Sequence, residues 1–334
     1  MTRIFVYEFL CGGGLRPADD APRAASLGTE GRAMLAAVLE DFRYVPGVDV
    51  HAILDERLRG DWPVDDGVRW IAPADEEPAF RAEAGAADWS LVIAPEFDRI
   101  LDTRCRWVQE EGGRLLGPSP EAVALTADKL VLAQHLERAG VLTPRTLPGD
   151  ASPFEVPDFP WVLKPRFGAG SLEMEKIGGQ NAFSTSRGQF GEKVIQPFVP
   201  GVAASVAFLI GPAQTIALEP AAQHLSDDDH FIYRGGSLPL PAPLAERARA
   251  VAGPAVAAVP GLFGYVGVDV VLGDRDWVIE INPRLTTSYV GLRALAVENL
   301  AEIMLRLARG ESVAKPHWRP GGLRFSPEGQ VECR

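Results

Sequence analysis

Hydrophobic and polar positions alternate most regularly between Gly264 and Leu292, GYVGVDVVLGDRDWVIEINPRLTTSYVGL. Period-two alternation marks a strand. Two such runs, Val268 to Leu272 and Trp277 to Ile281, flank Gly273-Asp274-Arg275-Asp276, residues that tolerate turn geometry. The stretch predicts a β-hairpin, and pairing Leu272 with Trp277 sets Asp269 opposite Glu280. One face then carries Val268, Val270, Leu272, Trp277, Ile279 and Ile281, and the other Asp269, Val271, Val278 and Glu280, with Asn282 next in phase. Carboxylates facing each other across a ladder sit about 5 Å apart and repel. A hard cation between them removes the conflict, and Mg²⁺ takes the oxygen ligands that Asp, Glu and Asn supply. A short E-x-N recurs by chance and suits a wet hairpin face equally well. The apolar reverse face, the register and the following Pro283-Arg284 favour the metal.

Strands and helices alternate at the start of the chain. Arg3 to Leu10, Val48 to Leu54 and Trp89 to Ala94 read as strands. Thr29 to Phe42, with Met34, Leu35, Val38 and Leu39 on one side, and Ile100 to Glu111 read as helices. This order predicts a parallel, doubly wound sheet, with ligands outside the carboxyl ends of its strands. Glu8, Cys11-Gly12-Gly13-Gly14 and Glu96 fall on that edge. The glycines are not a dinucleotide fingerprint, because Pro17 stands where the third would fall and Pro22 follows. Their N–H groups suit an anion such as a carboxylate, or simply a tight turn.

Leu116 to Pro120 marks a lobe boundary, and Pro120 to Leu136 predicts one helix carrying Lys129. A strand from Asp158 to Lys164 runs into Arg166-Phe167-Gly168-Ala169-Gly170-Ser171. A lysine beside a glycine loop suits phosphate, and the lysine-first order excludes a Walker A motif. Glu192 to Phe198, Val202 to Ile210 and Thr215 to Pro220 predict strands, the first two joined by Val199-Pro200-Gly201. Gln223 to Gly236 predicts a polar loop whose Asp227-Asp228-Asp229 fits a solvated charge run better than a metal site, and whose Tyr233 to Gly236 tip could face substrate. Leu244 to Val259 and Gly291 to Gly310 read as helical, Thr286 to Tyr289 as a hydroxyl-rich loop, and Lys315 to Arg334 as a loose tail.

With 334 residues there is room for two or three lobes, and 46% hydrophobic with 23% charged residues is ordinary for a soluble globular protein. The net charge of −12 argues against non-specific nucleic-acid or membrane binding. Cys11, Cys105 and Cys333 are scattered and the five histidines lack metal-ligand spacing, so a reducing compartment without zinc is expected. The first apolar run is broken by Glu8, too early for a signal peptide, and no apolar segment is long enough to span a bilayer. A cytoplasmic protein is expected, acting on small molecules rather than nucleic acid or membrane; a homodimer is left open.

Asp269 with Glu280-Ile281-Asn282-Pro283-Arg284 resembles the magnesium hairpin of the ATP-grasp superfamily. There an Asp or Glu on one strand and an E-x-N on the next hold magnesium against the ATP phosphates. The resemblance runs from about Pro118 to Gly310 and implies further roles. Lys129, in a D-K pair, reaches the α-phosphate. Lys164 and the loop with Gly168, Gly170 and Ser171 close over the triphosphate. Gln196, Phe198 and Val199 match the hinge that meets adenine. Ala203 and Ala204 stand where an acid often binds ribose, so ribose binding is unassigned. The implied fold is α/β: two α+β subdomains clasping ATP, at 118–190 and 191–310, after a Rossmann-like pre-ATP-grasp domain at 1–117 and before a tail at 311–334. The implied cofactors are ATP and Mg²⁺, with Mn²⁺ as a substitute.

Enzymes of this family convert a carboxylate to an acyl phosphate that an amine then displaces. Lys164 and Arg284 become the expected catalytic pair, neutralising the γ-phosphoryl group and clamping carboxylate or acyl phosphate. A narrower resemblance, in Ile4 to Gly14 and in EINPRLTTSY from Glu280 to Tyr289, is to the tyramine–glutamate ligases of methanofuran biosynthesis, in one-carbon metabolism. They join the γ-carboxylate of glutamate to an aromatic amine. The alternatives are a ligase or kinase for another carboxylate or phosphoacceptor, and a non-catalytic ATP sensor.

Overall fold

The strand at Thr2–Glu8 is buried on both faces, as a central parallel strand must be. In the computed structural model, which describes residues 1–14, 21–62, 66–151, 160–168, 174–179 and 192–333, with backbone alone for 21–26, it pairs in parallel with Val48–Asp55 and Trp89–Ile93. Val68–Ile71 completes the sheet at its edge. Helix Ala21–Arg43 covers one face with Met34, Leu35, Val38, Leu39 and Phe42. Glu76–Ala86 and Ile100–Glu110 cover the other, where Phe80 packs edge-on against Phe5 and Tyr7. The doubly wound expectation therefore holds. Val68–Ile71 and Glu76–Ala86 had no clear sequence signal: one is a short, half-exposed edge strand and the other is rich in acid and alanine.

The remaining chain builds two antiparallel sheets. The small one runs Leu147–Pro148, Lys193–Pro197, Trp161–Pro165, Glu175–Ile177. The large one runs Asp276–Asn282, Gly264–Leu272, Val202–Ile210, Ala221–Leu225, Tyr233–Leu238, Leu323–Phe325, Val331–Cys333, with Thr215–Ala217 also on Val202–Ile210. The lobes thus change at 198–201, after the strand that reaches Pro197, and not at residue 190. Helix Ala242–Ala258 lays Ala245, Ala248, Ala252 and Ala255 against one face of the large sheet, their small side chains allowing close approach. Helices Ser288–Leu295 and Leu300–Ala308 cover the other face and share one core with Ala21–Arg43. Asp41 locks that junction, accepting from Tyr289 Oη at 2.5 Å and Arg293 Nη2 at 2.7 Å.

Four expectations are corrected. The polar loop at 223–236 is largely a hairpin, Ala221–Leu225 against Tyr233–Leu238, with only its tip free of the ladder. The supposed tail supplies two strands, because Leu323 and Phe325 have an apolar face to bury. The helical segment after Gly291 divides where Asn299 accepts from Ala301 and Glu302 N–H and caps a new helix. The helix expected from Pro120 to Leu136 is two helices, Pro120–Ala127 and Lys129–Arg138, split at Asp128.

Candidate active site

The hairpin pairs Val268 with Ile281 and Asp269 with Glu280, as its pattern predicts. Beyond that pair the register shifts, to Val270 with Val278 and Leu272 with Asp276, so the expected Leu272–Trp277 pair does not form and Trp277 lies opposite Val271 instead. A β-bulge sets both Ile279 and Glu280 opposite Asp269. The apolar assignment of the second strand is corrected accordingly. Val278 and Ile281 are buried in the core, whereas Trp277 and Ile279 are half-buried. Asp269 Oδ1 accepts from Gln223 Nε2 at 2.9 Å, and Oδ2 from Asn282 Nδ2 at 3.1 Å. Glu280 Oε2 lies 3.5 Å from Lys129 Nζ. Burial and the facing Glu280 push the Asp269 carboxyl well up. Burial acts on Glu280 too, but Lys129 and Lys164 outweigh it and hold that carboxyl below its usual range.

Asp128 explains why Lys129 points here. Its Oδ1 caps the second helix, accepting from Leu130 and Val131 N–H at 3.1 and 3.2 Å. The same carboxylate grips Arg166 at 2.8 and 2.6 Å. Lys129 therefore occupies the first helical position, tied to the strand that carries Lys164, with Nζ donating to Gly168 O at 3.1 Å. Lys164 is only 2% exposed. Among the described residues its ammonium has no direct hydrogen-bond or ion-pair partner; burial lowers its pKa to about 8, against the pull of Glu280 and Asp269. An unpaired buried ammonium is costly, and an anionic ligand offsets that cost. Gly170 and Ser171 of the expected phosphate loop lie outside the described residues.

The hinge residues Gln196, Phe198 and Val199 line a cavity of about 400 Å³ with Ala203, Asp227 and Ile279. Gln196 Nε2 donates to Thr146 Oγ1 at 2.6 Å, and Phe198 stacks on Phe231 while its N–H meets Pro160 O. A Cβ on Gly201 would come within 2.5 Å of Leu272 O, so a glycine is required where the hinge crosses the end of the hairpin. The three aspartates have separate surroundings. Asp228 accepts from Ser226 and His230 within its own turn, Asp229 lies 3.9 Å from Lys176, and Asp227 faces the cavity.

A second cavity, of about 110 Å³, opens between Lys129, Lys164, Asp269, Glu280, Arg284 and Glu30. Its far wall belongs to the first domain. Arg284 donates to Glu96 through Nε at 2.8 Å and Nη2 at 3.4 Å, and to Leu285 O through Nη1 at 3.2 Å. Burial works against its charge, but Glu96 more than offsets this. Thr287 Oγ1 donates to Glu30 Oε2 at 2.9 Å. Thr286, Ser288 and Tyr265 form a closed ring of hydroxyls at 2.8 to 3.0 Å. The glycine turn does hold an anion, but it is the chain's own Glu8, whose Oε2 accepts from Cys11 N–H at 2.8 Å. Burial pushes the Glu8 carboxyl up to about 7. Sequence reasoning missed Gln223, hidden in an apparent loop, and Glu30, which belongs to no motif.

Among the described residues no group of three or more His, Cys, Asp or Glu could hold a metal. Two carboxylates and one amide do suit a hard divalent cation, which completes its shell with water and phosphate oxygens.

A family model described as an ATP-grasp domain matches residues 126–288, and one described as a pre ATP-grasp 3 domain matches 48–123. The chain belongs to the ATP-grasp family, as an ATP-dependent carboxylate–amine ligase. It is 30% identical over 226 residues to a tyramine–L-glutamate ligase from Methanocaldococcus fervens, a match covering 68% of each chain. Its likeness to the enzyme of the same name from Methanocaldococcus jannaschii is 29% over 228 residues, covering 68% of this chain and 64% of the relative. An ATP-grasp superfamily protein from Archaeoglobus fulgidus superposes with a TM-score of 0.73 at 24% identity, over 97% of this chain and 92% of that one. That last likeness concerns the fold alone. Among the described residues no helix is long and apolar enough to cross a membrane.

Proposed function

We propose that the chain forms an amide between the γ-carboxylate of glutamate and an aromatic amine such as tyramine, through an acyl phosphate made from ATP. The observation that carries this reading is the buried Lys164 ammonium, without a hydrogen-bond partner among the described residues, set beside the facing Asp269–Glu280 carboxylates: the cation suits an anionic phosphate and the carboxylate pair suits a cation. Lys129 and Lys164 meet the phosphates beside Gly168, and the hinge at Gln196, Phe198 and Val199 receives adenine. Asp269, Glu280 and Asn282 would hold Mg²⁺, which supplies charge neutralisation on the phosphate oxygens. Arg284 uses three N–H bonds on Glu96 and Leu285, leaving one on each of Nη1 and Nη2. That end-on fork suits the substrate carboxylate and the acyl phosphate that replaces it.

The substrate carboxylate attacks the γ-phosphorus and ADP departs; the amine then attacks the acyl carbon and phosphate departs. The choice of glutamate and tyramine rests on the names of the two Methanocaldococcus relatives. The test is hydroxylamine trapping. With ATP, Mg²⁺ and glutamate, hydroxylamine should give a hydroxamate without any other amine. Arg284→Ala should lower trapping about a hundredfold while ATP affinity moves less than about threefold. If no acid in a broad panel yields a hydroxamate while ATP still binds tightly, the ligation reading gives way to a kinase or a sensor.

A further inference from the structure

Three carboxylates line the smaller cavity, and two of them, Asp269 and Glu280, face each other on the hairpin. The third is Glu30. It comes from helix Ala21–Arg43 of the first domain and reaches the cavity where Arg284 and Thr287 meet that domain. Thr287 occupies Oε2, and among the described residues Oε1 has no partner. The other acids of this seam are engaged: Glu96 by Arg284, and Glu8 by the Cys11 N–H. We infer that Glu30 receives the amine, its carboxylate binding the incoming ammonium beside Arg284 and then taking a proton from it. This rests on the amide-ligase reading above and assigns its second half-reaction.

Chemistry demands such a group. An aromatic compound that carries its amine on an alkyl chain, as tyramine does, resembles lysine at that nitrogen, so only about one molecule in a thousand is uncharged at neutral pH. The ammonium has no lone pair with which to attack. Of the side chains around the cavity, Lys129, Lys164 and Arg284 are cations, and Asp269 and Glu280 belong to the metal pair. Tyr233 stays protonated, because burial and then Glu30 and Asp269 push its phenol far up. Glu30 remains as the acceptor. Burial raises its carboxyl above the usual range, with Thr287 and Arg284 pulling down and Glu328 of the C-terminal turn adding a little. That direction brings it nearer to neutral, where a base works best.

The step balances. Glu30 takes one ammonium proton, the freed nitrogen forms the C–N bond, the C–O bond to phosphorus breaks, and phosphate leaves with that electron pair. The second nitrogen proton leaves with the phosphate.

Hydroxylamine separates this role from a structural one, because it is largely uncharged at neutral pH and needs neither an ammonium site nor a base. Glu30→Gln keeps an oxygen for Thr287 but loses charge and basicity. With ATP, Mg²⁺ and glutamate, this variant should form hydroxamate within about threefold of the native rate. Tyramine ligation should fall about a hundredfold, with a higher KM for tyramine. Raising the pH should recover much of it, since free amine rises about tenfold per unit. Equal loss with both nucleophiles, no loss with either, or no recovery at high pH would overturn the assignment of Glu30 while leaving the ligase reading intact. Absence of hydroxamate from the native protein would remove both.

Discussion

The two walls of the smaller cavity are built on opposite plans. On the hairpin wall, Asp269, Glu280 and Asn282 come from one pair of adjacent strands, and Lys129 is held to Glu280 at 3.5 Å. On the seam wall, Arg284 meets Glu96, 188 residues earlier, and Thr287 meets Glu30, 257 residues earlier. The carboxylates and amide of the first wall are local and can assemble as soon as the hairpin forms, with Lys129 joining from the helix at Lys129–Arg138. The second exists only when the first domain has docked. A site divided in this way ties the completion of the cavity to the seating of one domain on another.

The largest effect should come from the local wall. Glu280→Gln is expected to lower ADP release about a thousandfold with an unchanged circular dichroism spectrum. Near-native turnover would break the comparison, because the hairpin would then be scaffold. Next comes the seam. Glu96→Ala strands a buried guanidinium and should cost about 3 kcal/mol in urea unfolding while ATP affinity stays within about threefold. Arg284→Ala combined with it should recover part of that loss, as a double-mutant cycle will read. Additive losses would mean the two side chains are not coupled.

Lys164 gives the smallest effect and a pH signature. Lys164→Met should weaken ATP binding about thirtyfold, or about 2 kcal/mol, measured by titration calorimetry. The same variant should be at least as stable as the native chain without nucleotide. The sign follows from linkage. The folded-state pKa of about 8 lies below the ordinary 10.5, so between these values the unfolded chain binds more protons and stability rises with pH. Native unfolding midpoints should climb across that window more steeply than those of Lys164→Met. Parallel profiles would mean that Lys164 is well paired without ligand.

What was legible in the sequence follows the same division. The two hairpin strands could be read from their periodicity, but the Asp269–Glu280 pairing comes out right only because the bulge offsets an expected Leu272–Trp277 pair that does not form. Lys164 could be read from the glycine loop beside it, and Lys129 only from the family resemblance. The doubly wound sheet could be read from its unbroken apolar strands. The bulge could not, since Trp277, Val278 and Ile279 are all apolar and any of them could face the core. Neither could the break at Asp128, because the helical pattern continues on both sides of it. The seam differs: Glu96 could be placed on the ligand edge of the sheet, but nothing near it or near Glu30 records the partner each meets after docking, and Glu30 belongs to no motif.

The bulge at Ile279 separates two reading frames within one strand. Val278 and Ile281 keep time with the core, while Ile279 and Glu280 together fill a single beat on the ligand side. Removing Ile279 would leave Val278, Glu280 and Ile281 against their present partners, so the core frame and the acid pair do not depend on it. Ile279 acts as an inserted letter that only the larger cavity reads. A lineage could change it to reshape that cavity without touching either the Asp269–Glu280 pair or the packing beneath.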